Sequence, residues 1–143
     1  MAAITDLVLR AQRGELPQVI RRLESGWAVL GEKQVLHGYC LLLPDPVVPS
    51  LNHLQGRART AYLEDMVRLG DAVLRVTGAA RINYEILGNV DPELHAHVIP
   101  RYPTEPDELR LKPVWFHDWD GAPGFSPLEH AALLKQLRDA LGT

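Results

Sequence analysis

The stretch that decides the fold spans residues 93–101 and reads ELHAHVIPR. Its alternation of polar and apolar residues is typical of a β-strand, in which every second side chain points to the same face of the sheet. The pattern therefore predicts Glu93, His95 and His97 on one face. Because buried polar side chains are costly without partners, three of them on one strand face indicate a functional site rather than a core. Imidazole and carboxylate groups together support nucleophilic, acid–base or metal chemistry.

The hydrophobic pattern of the remaining chain predicts an α+β fold. Helical spacing of apolar residues predicts a short helix over 4–13 and a long helix over 57–77. Ser126 and Glu129 form a capping-box pattern with Pro127 between them, which predicts a last helix from Pro127. Strands are predicted over residues 18–23, 27–31, 37–43, 81–87 and 94–101. This order of elements implies a mainly antiparallel five-stranded sheet covered by helices.

The composition limits the classes of protein and of functional site that are possible. The chain has 143 residues, of which 46% are hydrophobic and 23% charged, as in a soluble globular domain with a real core. The formal net charge is −3, and no basic cluster is longer than Arg21-Arg22, so no nucleic-acid-binding face is expected. The single cysteine, Cys40, excludes an internal disulfide and a cysteine-rich zinc site, and its apolar neighbours predict burial.

The sequence gives no sign of a membrane protein. No apolar run approaches 18 residues, and the N-terminus lacks a basic segment followed by an apolar one. We therefore expect a cytoplasmic location and no membrane partner.

Two motifs together resemble the histidine triad family of nucleotide hydrolases and transferases. The family motif is His-φ-His-φ-His-φ-φ, often followed by Pro-Arg, and ELHAHVIPR is similar to it at all but its first position. The preceding segment, INYEILGN over 82–89, resembles the bacterial branch that includes diadenosine-tetraphosphate-hydrolase-like proteins. The order of predicted elements over about 17–101 matches the family layout. Residues 102–143 are predicted to be an irregular aromatic and proline-rich segment followed by the C-terminal helix, completing a single domain over 1–143.

The resemblance implies a fold, an assembly and a mechanism. The fold would be the five-stranded sheet, continued across a two-fold axis in a homodimer. The central histidine of the motif, here His95, would attack the α-phosphate of a dinucleoside polyphosphate or a nucleoside phosphoramidate. The nucleotidyl-histidine formed in this way would then be hydrolysed, with His97 donating to the phosphate oxygens. Asn83, Asn89 and Arg101 would bind phosphate. No metal site or cofactor is expected, apart from Mg²⁺ accompanying the substrate.

The chain departs from the family pattern at two places. Glu93 occupies the position of the first motif histidine, where a carboxylate can accept a hydrogen bond and support a neighbouring imidazole, but also places negative charge near an anionic substrate. This leaves an alternative function, a nucleotide-binding protein with little turnover. After the third strand many relatives carry a lysine, and this chain has Asp45 between two prolines.

The sequence is also compatible with other roles for the histidines and the aromatic residues. The two motif histidines could be ordinary strand residues, or they could bind a metal with Glu93 and a distant ligand such as His117. The aromatic segment 115–119 could cover a nucleoside base or simply anchor the tail by burial. His53 is either a loop residue or a contact at the rim of the site.

Overall fold

The computed structural model describes residues 4–142. Its helices and strands follow one another in the order α1 (Ile4–Gln12), β1 (Val19–Arg22), β2 (Gly26–Leu30), β3 (Cys40–Pro44), α2 (Gly56–Thr77), β4 (Arg81–Glu85), β5 (Ala96–Arg101), α3 (Asp107–Arg110) and α4 (Ala131–Leu141). Short 3-10 turns cover Leu51–His53 and Val114–Phe116.

The strands form one antiparallel five-stranded sheet, as the sequence predicts. The spatial order is β1-β2-β3-β5-β4, so β5 lies inside the sheet between β3 and β4. His97 of β5 lies opposite Leu41 on one side and Glu85 on the other. The strand with the histidine motif is therefore supported on both sides, while β4 is an edge strand.

Helices α2 and α4 cover one face of the sheet. Ala96 and Val98 of β5 belong to the large core on that face, together with Leu69 of α2 and Leu137 of α4. Tyr62, Leu69 and Val73 form the buried stripe of α2, and Gly78 ends the helix in the left-handed conformation at φ 68°. Because side chains alternate along a strand, His97 points to the opposite face.

Two smaller clusters cover that opposite face. Helix α1 packs Ile4 and Val8 against Val29 of β2 at one end. At the other end Val114, from the segment after α3, packs against Ile99 of β5. The His97 side of β5 therefore lies between α1 and the chain that follows the sheet.

The predicted boundaries are wrong in three places that matter for the site. Strand β3 begins at Cys40 rather than at residue 37, because the chain turns at Gly38, which has φ 95°. Strand β4 ends at Glu85, and β5 begins only at Ala96. Residues 93–95 therefore lie in the loop before β5, where the Leu94 amide donates to the Val48 carbonyl.

The last helix begins at Ala131, four residues later than predicted. The Ser126 hydroxyl does accept the Glu129 amide at 3.2 Å, as the capping pattern predicts. Residues 127–130 form turns rather than regular helix, and the His130 ring binds back to the Ser126 amide at 2.9 Å. Within residues 4–142 no helix combines the length and the apolar character needed to span a membrane.

Candidate functional site

The rings of the two motif histidines are in contact, although only His97 lies in the strand. His97 is the second residue of β5, and His95 precedes it. Their ring centroids are 4.9 Å apart with the ring planes 72° to each other. Exposure is 9% for His95 and 8% for His97, so both imidazoles are largely shielded from water. The predicted pairing of these two residues is thus present in the structure.

His95 is held by a backbone carbonyl. Its Nδ1 atom lies 2.8 Å from the carbonyl oxygen of Glu93. A carbonyl oxygen can only accept, so Nδ1 carries the proton and donates it. In a neutral imidazole the proton can occupy one nitrogen only, and Nε2 of His95 therefore keeps a free lone pair. This is the form of histidine that can act as a nucleophile.

The carboxylate of Glu93 does not face the histidines, which corrects the prediction of a shared strand face. Its oxygens accept the Thr5 amide at 3.0 Å and the Thr5 hydroxyl at 2.5 Å. Asp91 similarly accepts the amide of Ile4 at 3.2 Å. Two acidic side chains thus bind the first turn of α1, where unpaired amides and the helix dipole favour negative charge. Glu93 supports His95 through its backbone, and its side chain fastens the loop to α1.

Tyr39 is a site residue that the sequence analysis missed. Its hydroxyl lies 2.7 Å from Nδ1 of His97, and the two rings lie nearly parallel with centroids 6.0 Å apart. Burial, reinforced by the neighbouring His95, lowers the pKa of His97 from 6.5 to about 4. His97 is therefore neutral at physiological pH. Alternation from Leu41 places Tyr39 on this face, but only the pairing of β3 with β5 reveals that it faces a histidine.

The aromatic segment 115–119 packs against His97. The Trp115 ring stands at 85° to the His97 ring with centroids 5.0 Å apart. Trp119 stacks on Trp115 at 5.0 Å and meets Tyr39 edge-on at 5.7 Å. Trp115 keeps 38% of its surface exposed. The segment is thus anchored by burial and at the same time forms a wall beside the histidines.

Arg101 and Asn83 are hydrogen-bonded to each other within the protein, so the Arg101 guanidinium is already paired, whereas Asn83 uses only its side-chain oxygen and its role as a phosphate ligand stays a prediction. The Arg101 guanidinium donates to both oxygens of Glu105, at 2.9 and 3.1 Å, and to the Asn83 side-chain oxygen at 2.9 Å. Arg101 and Glu105 are 9% and 7% exposed. Burial opposes ionisation of Glu105, but hydrogen bonds from Arg101, the Tyr102 amide and His117 outweigh it and lower the pKa of this carboxyl.

His117 belongs to the same buried network. Its Nε2 atom lies 2.9 Å from Glu105, so it fixes the aromatic segment and is not directed at His95. The metal alternative required Glu93, His95, His97 and His117 to converge, and the contacts of Glu93 and His117 point elsewhere. No group of three or more histidine, cysteine or acidic residues is placed to share an ion within residues 4–142.

Glu85 adds a half-buried acidic group beside the two histidines. It lies opposite His97 on β4, and its Oε2 atom is buried without a hydrogen-bond partner in the described chain. Burial raises the pKa of Tyr39, and Cys40 and Glu85 add to that effect. The Tyr39 phenol therefore keeps its proton. Cys40 itself is buried and free, as predicted, and burial raises its pKa.

A cavity of about 310 Å³ opens directly beside His95. This volume lies near the lower end of the ~300–1,000 Å³ range of small-molecule sites. Ser50 and Asn52 supply hydroxyl and amide groups, and the remaining lining residues besides His95 are Pro49, Leu51, Ile86, Leu87, Gly88, Pro92 and Leu94. A cleft that offers both apolar side chains and polar groups suits a nucleoside. Asn89, the third predicted phosphate ligand, is exposed in the loop that borders this cleft.

The segment after β3 links α1 to the sheet and also borders a second cavity. Asp45 accepts hydrogen bonds from Trp27 at 3.0 Å and from Gln12 at 3.0 and 3.1 Å, so it joins α1 to the sheet. The exposed His53 is bound through Nδ1 to the Ser50 hydroxyl at 2.8 Å. Both Asp45 and His53 line a larger cavity of about 520 Å³ that neither His95 nor His97 touches. We therefore place the site at the smaller cavity.

Comparisons with known proteins agree with this architecture. No protein-family model matches the chain. A curated relative, the asymmetrical bis(5'-nucleosyl)-tetraphosphatase of Schizosaccharomyces pombe, is 29% identical over 89 residues, which are 59% of this chain and 49% of that protein. The matched region thus spans about half the length of that relative.

Two solved structures superpose on most of the chain. A histidine triad protein from Bradyrhizobium japonicum gives a TM-score of 0.76 at 21% identity and covers 86% of this chain and 89% of its own. A histidine triad protein from Sinorhizobium meliloti gives a TM-score of 0.73 at 23% identity, with coverages of 85% and 87%. The superpositions establish a common fold. Sequence identities this low do not by themselves establish a common activity.

Proposed function

We propose that this chain, which has the fold of the histidine triad proteins, is a nucleotide hydrolase that forms a covalent intermediate on His95. The observation that carries the proposal is the Nδ1 hydrogen bond of His95 to the Glu93 carbonyl, beside a cleft of nucleoside size. The substrate class is a dinucleoside polyphosphate or a nucleoside phosphoramidate. The S. pombe tetraphosphatase supports the first of these, since it is named for such a substrate.

The first step transfers the nucleotidyl group to the protein. With the nucleoside in the cleft, the α-phosphate lies next to His95, and the Nε2 lone pair attacks phosphorus. A bond forms between Nε2 and phosphorus, and the bond from phosphorus to the leaving group breaks. A polyphosphate departs as an anion with the bonding electron pair, and the nitrogen of a phosphoramidate departs as an amine after taking up a proton from water. The substituted imidazole becomes positively charged because Nδ1 keeps its proton. The Glu93 carbonyl stabilises that charge through the hydrogen bond already present.

The second step regenerates the enzyme. Water attacks phosphorus, the Nε2–phosphorus bond breaks, and a nucleoside monophosphate leaves together with a proton. His95 returns to the neutral form with its proton on Nδ1. His97 donates a hydrogen bond to the phosphate oxygens in both steps, since phosphoryl transfer depends chiefly on stabilising charge at those oxygens. We propose that the protein supplies no metal ligands and that Mg²⁺ enters with a polyphosphate substrate.

The alternative function, nucleotide binding with little turnover, depended on the side chain at position 93. The contacts of Glu93 weaken that alternative. Its carboxylate is occupied by Thr5, and the group that acts on His95 is a carbonyl that every residue type provides. The negative charge is directed towards α1 rather than towards the phosphate.

We also propose a homodimer located in the cytoplasm. Strand β4 is an edge of the sheet, with backbone groups available to pair with another strand. Tyr84 of β4 and Leu63 and Val67 of α2 are exposed apolar residues. Such residues favour association. Equilibrium sedimentation giving only the monomer mass would remove the dimer from the proposal.

The test of the proposed function combines binding with turnover. We would measure AMP binding by calorimetry, and hydrolysis of adenosine 5'-phosphoramidate and diadenosine tetraphosphate, for the wild type, His95→Ala and Leu51→Asp. The proposal predicts turnover of at least one substrate, abolished in His95→Ala. Leu51→Asp replaces an apolar lining residue by a negative charge and should weaken AMP binding at least about tenfold, which is about 1.4 kcal/mol.

Leu128→Asp is the matched control, since Leu128 is 88% exposed and lies outside the cleft, and this variant should bind AMP normally. AMP binding without turnover of either substrate would favour the binding protein. Absence of both binding and turnover would overturn the proposed function.

A further inference from the structure

We propose that Tyr39 is a positioning residue whose hydroxyl donates to Nδ1 of His97 and so fixes His97 in the neutral tautomer that carries its proton on Nε2. The mechanistic consequence of this inference depends on the proposed function, whereas the tautomer itself does not. The two histidines of the site would then have opposite tautomers, with the proton on Nδ1 of His95 and on Nε2 of His97.

The direction of the hydrogen bond follows from the surroundings of Tyr39. The residue is 5% exposed and packs in a cluster with Leu36, Ile99 and Val114. Its hydroxyl has no hydrogen-bond partner other than His97 in the described chain. If Nδ1 of His97 donated instead, the phenolic proton would be buried without an acceptor, at a cost of about 1–3 kcal/mol. A donating hydroxyl avoids that cost.

The fixed tautomer matters because of what Nε2 meets. An unprotonated Nε2 would direct a lone pair at the anionic oxygens of a phosphate and repel them. A protonated Nε2 offers a hydrogen bond, and a neutral ring does so without adding a second positive charge beside the one that develops on His95. Hydrogen-bond donors positioned in advance of the reaction are among the largest contributions to catalysis in such sites.

The fold holds Tyr39 in place from several sides. Gly38 turns the chain at φ 95° immediately before it, and Trp119 packs edge-on against its ring at 5.7 Å. Gly31 on the neighbouring segment leaves room for the ring: a Cβ atom at this position would lie 2.4 Å from two of its carbons. Gly31→Ala would therefore displace the Tyr39 ring without removing its hydroxyl. The site offers a second, independent way to disturb the same hydrogen bond.

The experiment is two-bond ¹H–¹⁵N correlation NMR of the histidine side chains in the ligand-free protein, with His97 assigned from the spectrum of His97→Gln. We expect wild-type His97 to show a protonated Nε2 and an unprotonated Nδ1, and His95 to show the reverse. In Tyr39→Phe the two nitrogens of His97 should move towards each other as both tautomers become populated. Gly31→Ala should shift them in the same direction.

Tyr62→Phe is the matched control, since Tyr62 is also a buried tyrosine that donates one hydrogen bond, to the Leu42 carbonyl at 2.8 Å. It should leave the histidine pattern unchanged. For a substrate that the wild type hydrolyses, Tyr39→Phe should lower kcat about tenfold or more with little change in KM, because the donor acts on the transferring phosphate. Tyr62→Phe should keep kcat within a few-fold.

The outcomes separate this inference from the proposed function. A wild-type His97 with its proton on Nδ1 would overturn the inference whether or not the protein is active. An unchanged His97 pattern in Tyr39→Phe would do the same. The expected pattern in a protein that hydrolyses neither substrate would support the tautomer assignment and would count against the hydrolase.

Discussion

The carbonyl oxygen of Glu93 lies 2.8 Å from Nδ1 of His95, while the carboxylate of the same residue binds Thr5 on α1. One residue thus acts on the nucleophile through its backbone and on the neighbouring helix through its side chain. The helix fastens the loop, and the loop orients the imidazole. The glutamate at this position is therefore compatible with a working site.

The first prediction concerns substitution of Glu93. Glu93→Gln and Glu93→His both keep the carbonyl, so we expect kcat/KM for a hydrolysed nucleotide to change by less than about tenfold in either. Hydrolysis of adenosine 5'-phosphoramidate at neutral pH is the measurement. A gain of about a hundredfold in Glu93→His would show instead that the native residue impairs the site, as the binding-protein alternative requires.

The sequence predicts the sheet, the long helix and the pairing of His95 with His97, because these depend on hydrophobic periodicity and on a short motif. It does not predict the direction of the Glu93 side chain. Strict alternation would place it beside the histidines, but the chain leaves the strand conformation before Ala96, and α1 offers unpaired amides that attract the carboxylate.

Contacts between distant segments explain the other differences. Arg101 resembles a phosphate ligand by its position after the motif, yet Glu105 and Asn83 occupy its guanidinium. Tyr39 and Trp115 reach His97 only through the pairing of β3 with β5 and the return of the chain after the sheet. These contacts leave no mark in a sequence motif, because they link residues far apart in sequence and depend on tertiary structure.

The second prediction concerns the buried pair of Arg101 and Glu105. Glu105→Ala leaves the guanidinium buried with its charge uncompensated, and we expect a loss of about 3–5 kcal/mol in the free energy of unfolding. Urea denaturation followed by far-UV circular dichroism measures this loss. The exposed pair of Glu24 with Arg57 is the control, and Glu24→Ala should change stability little. Equal effects of the two substitutions would contradict the structural role of the buried pair.

The third prediction concerns the pH dependence of stability. The pKa of His97 is lowered to about 4 in the folded protein, from an ordinary value of 6.5. Between these values the unfolded chain binds a proton that the folded chain does not, so stability must fall as pH decreases from about 6.5 to 4. The contribution of this residue amounts to about 3 kcal/mol across the window.

Urea titrations at several pH values, compared with those of His97→Gln, isolate this contribution. The difference in unfolding free energy between wild type and variant should shift in favour of the variant as pH falls. Parallel pH profiles for the two proteins would show that His97 is not held neutral by its surroundings.

The central claim is that His95 carries the nucleotidyl group, and the most direct test is intact mass spectrometry after brief incubation with adenosine 5'-phosphoramidate or diadenosine tetraphosphate. The reaction is quenched under conditions in which a phosphorus–nitrogen bond survives. We expect a mass increase corresponding to one AMP group in the wild type and in His97→Gln, and none in His95→Ala. AMP release without any adduct at the shortest times, or an adduct that persists in His95→Ala, would contradict the account.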